Sequence, residues 1–342
     1  MLNQKTALYL ALIIPATLLI RTAHPGGFSL FIGFCYLNAI SPKPMQYNKP
    51  PISFQNQIAK LKSRGLNFDN EANAILCLSN ISYYRLRAYT YPFQDNCDPN
   101  HPFNIQVTFE EIIELYKFDR KLCQLVFESL EKIEIAIRTQ IIYQWALIHG
   151  SHWQINPALY RDPVRFATQI ATLQNEIGRS HETFIEHYKN KYTSPNEPPS
   201  WMSLEVSSFG LISQLFSNLK KSPEKINVAR HFGLNDISIL ENWLHCFSNI
   251  RNICAHHGRL WNRRFTTHIK IPTNPQNPFI TNTRIYPYKL YAAICCMQYM
   301  LNSIVPANGF KTKLVELMES CPLAQANEMG FPVNWTDELF WK

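Results

Sequence analysis

The segment IRNICAHHGRLWNR, residues 250–263, contains side chains that could carry out chemistry. Arg251 is followed directly by Asn252 and, after four intervening residues, by His256. Imidazole titrates near neutral pH and can act as a general base or acid, while guanidinium presents a planar set of donors to phosphate oxygens. This combination predicts a site that acts on a phosphate group, with Asn252 orienting either the histidine or the phosphate.

These residues lie near the end of a predicted helix, ISILENWLHCFSNIRNICAHHG, which begins after a cap at Asn235 or Asp236 and which we expect to close at Gly258. Positions 252 and 256 share one face of a helix. Positions 251 and 256 are separated by about 140° around the axis, at about 100° per residue. One chain therefore need not complete the site alone.

Two other interpretations of this helix stay open. Its polar positions also match the solvent-facing side of an ordinary amphipathic helix. Those positions are Glu241, His245, Ser248, Asn252 and His256. His257 is a second candidate for the histidine role, although its place beside Gly258 favours a C-terminal cap that interacts with the helix dipole.

An aromatic residue among arginines follows the helix, in the order Arg259, Trp261, Arg263 and Arg264. Single-stranded RNA could stack on the indole ring and pair its phosphates with the guanidinium groups, so we predict RNA binding here. The alternative is a solvated loop in which Trp261 packs inward.

Two further residues bear on the site from another helix. Glu134 and Arg138 have the i, i+4 spacing of an intrahelical ion pair, which is their simplest role, and support of the site is a second one.

Metal and nucleotide sites have no matching motif. Cys246, Cys254, His256 and His257 lie close in sequence but do not form a paired zinc-ligand signature, and no HExxH occurs. No GxxxxGK[ST] loop is present either. We therefore predict no metal and no cofactor.

Helical patterns account for most of the chain from residue 53 onward, and no run of alternating strands indicates a large sheet. A capping box at Thr108 and Glu111 opens a long helix that we expect to break near Asp119. The other predicted helices cover about 54–64, 70–88, 163–192, 201–220, 235–258 and 286–304. The prediction is an all-α fold.

Composition indicates a folded protein in a reducing compartment. The net charge of +8 favours polyanionic partners, and nine cysteines without regular spacing favour free thiols in the cytoplasm. Residues 1–44 are different: they are apolar, with three basic residues and no acidic one. They could be a membrane anchor, a packed element or a tail from an upstream start codon. We favour the tail, with Met45 as the native start.

Four ordered blocks carry a family resemblance: YNKPPISFQNQIAKLKSRGL at Tyr47, ISYYRLRAYTYPF at Ile81, LEKIEIAIRTQI at Leu130, and the motif IRNICAHHGRLWNR. The R-N-x-x-x-H pattern resembles the catalytic signature of the HEPN superfamily. The four blocks together resemble the Abi-like family of abortive-infection proteins, over about residues 47–265.

The resemblance implies a HEPN-like helical bundle that dimerises and cleaves RNA without metal. Arg251 and His256 would be catalytic, and Asn252 and His257 would support them. Histidine would accept the proton of a ribose 2′-hydroxyl, and arginine would stabilise charge on phosphorus. An antitoxin, either RNA or protein, would be a further partner, and a membrane would be one only if residues 1–44 are native. The alternative is a module that holds RNA or protein without cleavage.

The resemblance also divides the chain. We expect an N-terminal extension at 1–44, additional N-terminal helices at 45–105, the HEPN-like domain at 106–320 and a tail at 321–342.

Overall fold

The computed structural model describes residues 46–342, so the predictions for residues 1–44 lie outside the described residues. The described part contains α-helices, short 3-10 turns and three isolated β-bridges, but no strand. The predicted all-α fold is thereby confirmed. The helices are α1 Phe54–Lys62, α2 Glu71–Asn80, α3 Tyr83–Thr90, α4 Phe109–His149, α5 Pro163–Gly178, α6 Thr183–Lys191, α7 Ser200–Ser203, α8 Phe209–Asn218, α9 Pro223–His231, α10 Ile237–Ala255, α11 Leu290–Ile304 and α12 Phe310–Glu319.

Side-chain caps open the helices that position the site. The Thr108 hydroxyl accepts a hydrogen bond from Glu111 N, and the Glu111 carboxylate accepts one from Thr108 N, which is the predicted capping box. Asp236 caps α10 by accepting a hydrogen bond from Ser238 N at 2.8 Å.

Several predicted helices differ from the structure. The segment 70–88 is two helices, because the Ser82 hydroxyl caps a new one at Tyr83. The segments 163–192 and 201–220 are likewise each divided in two. The long helix α4 does not break near Asp119: that residue is buried inside it, with contacts described below.

Two helices form the centre of the protein. Helix α4 contacts α3, α9, α10, α11 and α12. In α11, every residue from Leu290 to Leu301 is buried, as expected for a helix that is apolar all round and lies inside a protein. Each fully buried large apolar side chain contributes about 1.5–3 kcal/mol. The packing of α4 against α10 therefore fixes the motif helix firmly on its apolar side.

The unit Ile52–Lys342 is compact. The C-terminal residues take part in its core: Trp341 is buried and its Nε1 donates to the Tyr291 hydroxyl at 3.1 Å. The boundaries 45–105, 106–320 and 321–342 stay predictions.

No helix within residues 46–342 is both long and apolar enough to cross a bilayer.

Candidate functional site

The motif lies where α10 ends. The helix stops at Ala255, not at Gly258, and His256 is its C-cap. His257 then adopts a left-handed backbone with φ of 56°, the conformation that glycine usually supplies after a helix. Two hydrogen bonds close the end, from His257 N to Cys254 O at 3.0 Å and from Gly258 N to Ile253 O at 2.7 Å. The pair of bonds forms a Schellman motif.

Gly258 has a different role from the predicted one. Its φ is not positive, but a Cβ atom there would lie 3.0 Å from Ile253 Cγ2 and 3.1 Å from Ile253 O. Glycine therefore favours the close approach of the chain to the last turn of α10, because a Cβ atom would press on Ile253.

The Arg251 side chain is only partly exposed to solvent, because it also contacts α4. Its Nε lies 3.7 Å from Glu134 Oε2, and its guanidinium carbon lies 5.5 Å from the centre of the Phe127 ring. The side chain is 36% exposed. It borders a cleft of about 220 Å³. The cleft, here the arginine cleft, is lined by Phe127, Glu131, Glu134, Ile135, Arg138, Glu205 and Arg251.

Glu134 joins two arginines. Its Oε1 accepts a hydrogen bond from Arg138 Nη2 at 2.8 Å, which is the predicted ion pair within α4. Arg138 also donates to Ser207 O at 3.0 Å. Burial raises the pKa of Glu134, and the charges of Arg138 and Arg251 oppose that rise. The approach to Arg251 also brings Glu134 beside a motif residue, and its second predicted role, support of the site, stays a prediction.

A second cleft of about 470 Å³ adjoins the first. Both clefts are lined by Phe127 and Glu131, and the second also includes Arg120, Cys254, Ala255 and His257. Arg251 and His257 therefore border neighbouring hollows between α4 and α10.

Asn252 and His256 have a different environment. Both side chains are exposed, and they do not line either of the two hollows. Within the described region, they make no hydrogen bond or ion pair to another side chain. The side chains of Asn252 and His256 are therefore accessible to another molecule, whereas Arg251 packs against α4.

The loop after the motif is mostly buried. Trp261 is 1% exposed, its ring stacks on those of Tyr89 and Phe93, and its Nε1 donates to Ala324 O. The guanidinium of Arg259 donates to Ala88 O, and burial lowers its pKa. The indole ring has no free face for an RNA base, so the structure favours the inward-packed alternative for Trp261.

The other two arginines are more accessible. Arg263 is partly buried and donates to Arg259 O at 3.0 Å. Arg264 is exposed, with its guanidinium carbon 4.2 Å from the centre of the Tyr288 ring. Arg264 is the member of the predicted RNA-binding group that solvent reaches most freely.

Asp119 holds this loop in place. Its fully buried carboxylate accepts hydrogen bonds from Leu260 N at 3.0 Å, Trp261 N at 2.6 Å and the Tyr89 hydroxyl at 2.6 Å. The neighbouring Arg120 donates to Gly258 O at 2.7 Å. Sequence reasoning missed this function, because a single aspartate in a helical pattern gives no sign of a partner more than a hundred residues away.

No group of three or more potential metal ligands occurs in the part of the chain that the structure describes. Its cysteines are free thiols, and most of them are buried.

Comparison with known proteins gives one match. No curated protein and no solved structure is similar enough to match. The family model described as Abi-like protein matches residues 76–262, more than half of the chain. The matched region runs from α2 to the loop after α10 and includes Glu134, Arg251 and His256. The chain therefore belongs to the Abi-like protein family.

Proposed function

We propose that this protein is a metal-independent endoribonuclease of the HEPN type that acts in abortive infection, as a phage-defence or toxin effector. Membership of the Abi-like family supports the abortive-infection role. The observation that carries the chemical part is the end of α10, where a solvent-exposed His256 follows an arginine whose Nε lies 3.7 Å from the partly buried carboxylate of Glu134.

The proposed reaction is transfer within the RNA backbone. His256 removes the proton of a ribose 2′-hydroxyl, the 2′-oxygen bonds to phosphorus, and the bond from phosphorus to the 5′-oxygen breaks. Arg251 stabilises the negative charge that develops on the phosphate oxygens. The departing 5′-oxygen takes a proton from an acid such as the partner subunit's His256. The products are a 2′,3′-cyclic phosphate and a 5′-hydroxyl.

A homodimer would supply that second histidine. Helix α4 carries an exposed apolar row of Ile135, Tyr143 and Leu147, with 53%, 56% and 67% of each residue exposed. They follow one another at spacings of eight and four residues, so at about 100° per residue they span an arc of about 120° on one side of the helix. Ile135 also lines the arginine cleft, so the row begins at the candidate site. A copy packed on this row would face Arg251.

One observation favours the second candidate function, a module that holds RNA or protein without cleavage. The arginine cleft has three carboxylates, Glu131, Glu134 and Glu205, against the two guanidiniums of Arg138 and Arg251. A phosphate entering this cleft therefore meets an excess of like charge. In this alternative Arg251 serves the packing of α10, and the partner is an antitoxin RNA or protein.

Cleavage assays separate the two functions. The full-length protein is incubated at neutral pH with end-labelled RNA in excess EDTA, and cleavage is expected. His256→Ala and Arg251→Ala should each lower the rate about 10²- to 10⁴-fold, because each removes a group used in the transition state. His257→Ala should keep most of the activity.

Circular dichroism melts of all variants provide the folding control. RNA binding without cleavage in EDTA by a folded wild-type protein would favour the binding module. Loss of activity in His257→Ala with retention in His256→Ala would exchange the roles of the two histidines.

A further inference from the structure

A second concave surface lies at the other end of the motif helix. One hollow of about 430 Å³ sits between α9 and the start of α10, and a neighbouring hollow of about 550 Å³ sits between α5, α8 and α10. The first, here the basic cleft, includes Arg161, Lys221, Lys225 and Arg230. The second, here the polar cleft, includes Arg165, Gln214 and His245. Glu241 lines both, so the hollows adjoin.

The basic cleft has an excess of positive charge. Its four basic residues outnumber its two acidic ones, Asp236 and Glu241. Arg161, Lys221 and Arg230 are exposed and form no ion pair within residues 46–342. The Arg161 guanidinium donates to the Ser217 hydroxyl at 3.4 Å. These three cations remain available to an anionic ligand.

The two acidic residues are already engaged. Lys225, which is 1% exposed, donates to Glu241 Oε1 at 2.6 Å and to Leu219 O at 2.7 Å. Burial lowers the pKa of Lys225, and Glu241 opposes that change. The Asp236 carboxylate accepts hydrogen bonds from the Ser238 backbone and hydroxyl. Neither carboxylate therefore competes strongly for the exposed cations.

The polar cleft offers neutral groups beside this charge. Gln214 is exposed, and no hydrogen bond ties its side-chain amide to the rest of the described chain. The hydroxyls of Thr168 and Ser217 lie in the same hollow. Amides and hydroxyls can bond the edges of unpaired bases and the hydroxyls of ribose.

One face of α10 connects these hollows with the motif. Glu241, His245, Asn249, Asn252 and His256 recur at intervals of four, four, three and four residues. His245, Asn252 and His256 are exposed. From position 241 to position 256 the helix rises by about 22 Å, at about 1.5 Å per residue. A strand stacked at about 3.4 Å per nucleotide covers that length with roughly seven nucleotides.

We propose that the basic cleft binds the phosphate backbone of single-stranded RNA, and that the strand continues along α10 to Asn252 and His256. The inference rests on the proposed function in one respect, namely that RNA is the ligand of the motif. It adds a binding site about seven nucleotides from the cleaved phosphate, on a part of the chain with no chemical role of its own.

A binding experiment tests the proposal without any cleavage. Full-length His256→Ala protein is titrated into a fluorescent, unstructured 20-nucleotide RNA, and anisotropy gives the affinity at several salt concentrations. Addition of Lys221→Glu and Arg230→Glu should weaken binding about tenfold or more. The slope of log affinity against log salt should fall by about 1.4, since each lost phosphate contact on a single strand contributes about 0.7.

A matched control carries Lys191→Glu and Arg284→Glu instead. Both residues are exposed and line neither hollow, so the net charge changes equally at other places. The milder pair Lys221→Gln and Arg230→Gln covers the case in which charge reversal unfolds the protein, as circular dichroism would reveal. It should lower the slope in the same direction.

The outcomes separate this inference from the proposed function. Equal RNA affinities of the basic-cleft double variant and the control double variant would overturn the inference, even if the wild type cleaves RNA. The basic cleft would then be assigned to an acidic protein partner. Absence of any RNA binding would overturn it too. A selective loss of binding in the basic-cleft pair would support it, even if no variant and no wild type ever cleaves.

Discussion

His257 is one of five non-glycine residues in the described chain whose backbone has a positive φ. A left-handed conformation costs an ordinary L-residue about 1–2 kcal/mol, and glycine occupies it without that penalty. The cost here is offset by the two closing hydrogen bonds of α10 and by Arg85 Nη1, which donates to His257 O at 2.7 Å. Such conformations persist where the surroundings impose them, often near functional sites.

Replacement of this histidine tests that account. His257→Gly should raise the free energy of unfolding by about 0.5–1 kcal/mol, because the Cβ strain disappears while the backbone bonds to Cys254 and Arg85 remain. His257→Val should lower it, since a β-branched residue is the least suited to positive φ. Urea unfolding followed by circular dichroism gives both values. A less stable glycine variant would show that the imidazole itself stabilises the fold.

At the scale of elements, the packing of α4 against α10 sets the geometry of the site. Asp119 on α4 binds the loop that follows α10, and Glu134 on the same helix binds Arg251. The two anchors lie four turns apart, so the motif is held from both its ends by one continuous helix. A break in α4 would separate the anchors.

Removal of the first anchor should be costly. Asp119→Ala leaves two buried backbone N–H groups and the Tyr89 hydroxyl without their acceptor, and it leaves Arg120 without its carboxylate. Loss of one partner from a buried charged network costs about 3–5 kcal/mol. Urea unfolding should show a loss of this size.

Glu114→Ala on the same helix is the matched control. Its ion pair with Lys117 is exposed, so its removal should change stability by less than about 1 kcal/mol. Similar losses in the two variants would mean that Asp119 does not anchor the loop.

The same helices show what the sequence can reveal. Start signals are local, because a capping side chain binds an N–H group two or three residues away: Thr108 caps α4 as predicted, and Asp236, one of the two predicted candidates, caps α10. Helix ends and interruptions were predicted less well. Ser82 divides a segment of continuous helical periodicity, and the left-handed position fell on His257 rather than on the glycine that usually occupies it.

Contacts between segments that are distant in sequence could not be predicted, because local patterns do not indicate them. The spacing of Glu134 and Arg138 predicted their ion pair, but nothing local indicates that Glu134 also reaches Arg251 from another helix. The sequence around Trp261 likewise does not indicate whether its side chain points inward or into solvent. Its burial depends on Tyr89 and Phe93, which belong to the N-terminal helical segment.

At the scale of the whole molecule, one surface of α4 has no partner within the described chain. The row of Ile135, Tyr143 and Leu147 remains exposed beside the arginine cleft. Together with the exposed His256, this row is the basis for the proposed dimer. Each residue of a two-fold interface is present twice, so a substitution there acts twice.

Substitution in the row should therefore dissociate the dimer. Burial of one leucine or isoleucine side chain contributes about 1.5–3 kcal/mol, and its loss from both copies raises the dissociation constant by about 10²- to 10⁴-fold. Leu147→Asp combined with Ile135→Asp should give a monomer in light scattering at micromolar concentration, where we expect the wild type to be a homodimer. Cleavage should fall with it, because the proposed reaction would lose the partner's His256 as the acid for the departing 5′-oxygen. Val333→Asp, at a position that is 89% exposed and on no such row, serves as the control and should stay dimeric and active. A double variant that remains dimeric would place the interface elsewhere. A monomer that cleaves RNA at the wild-type rate would show that one chain contains the whole active site.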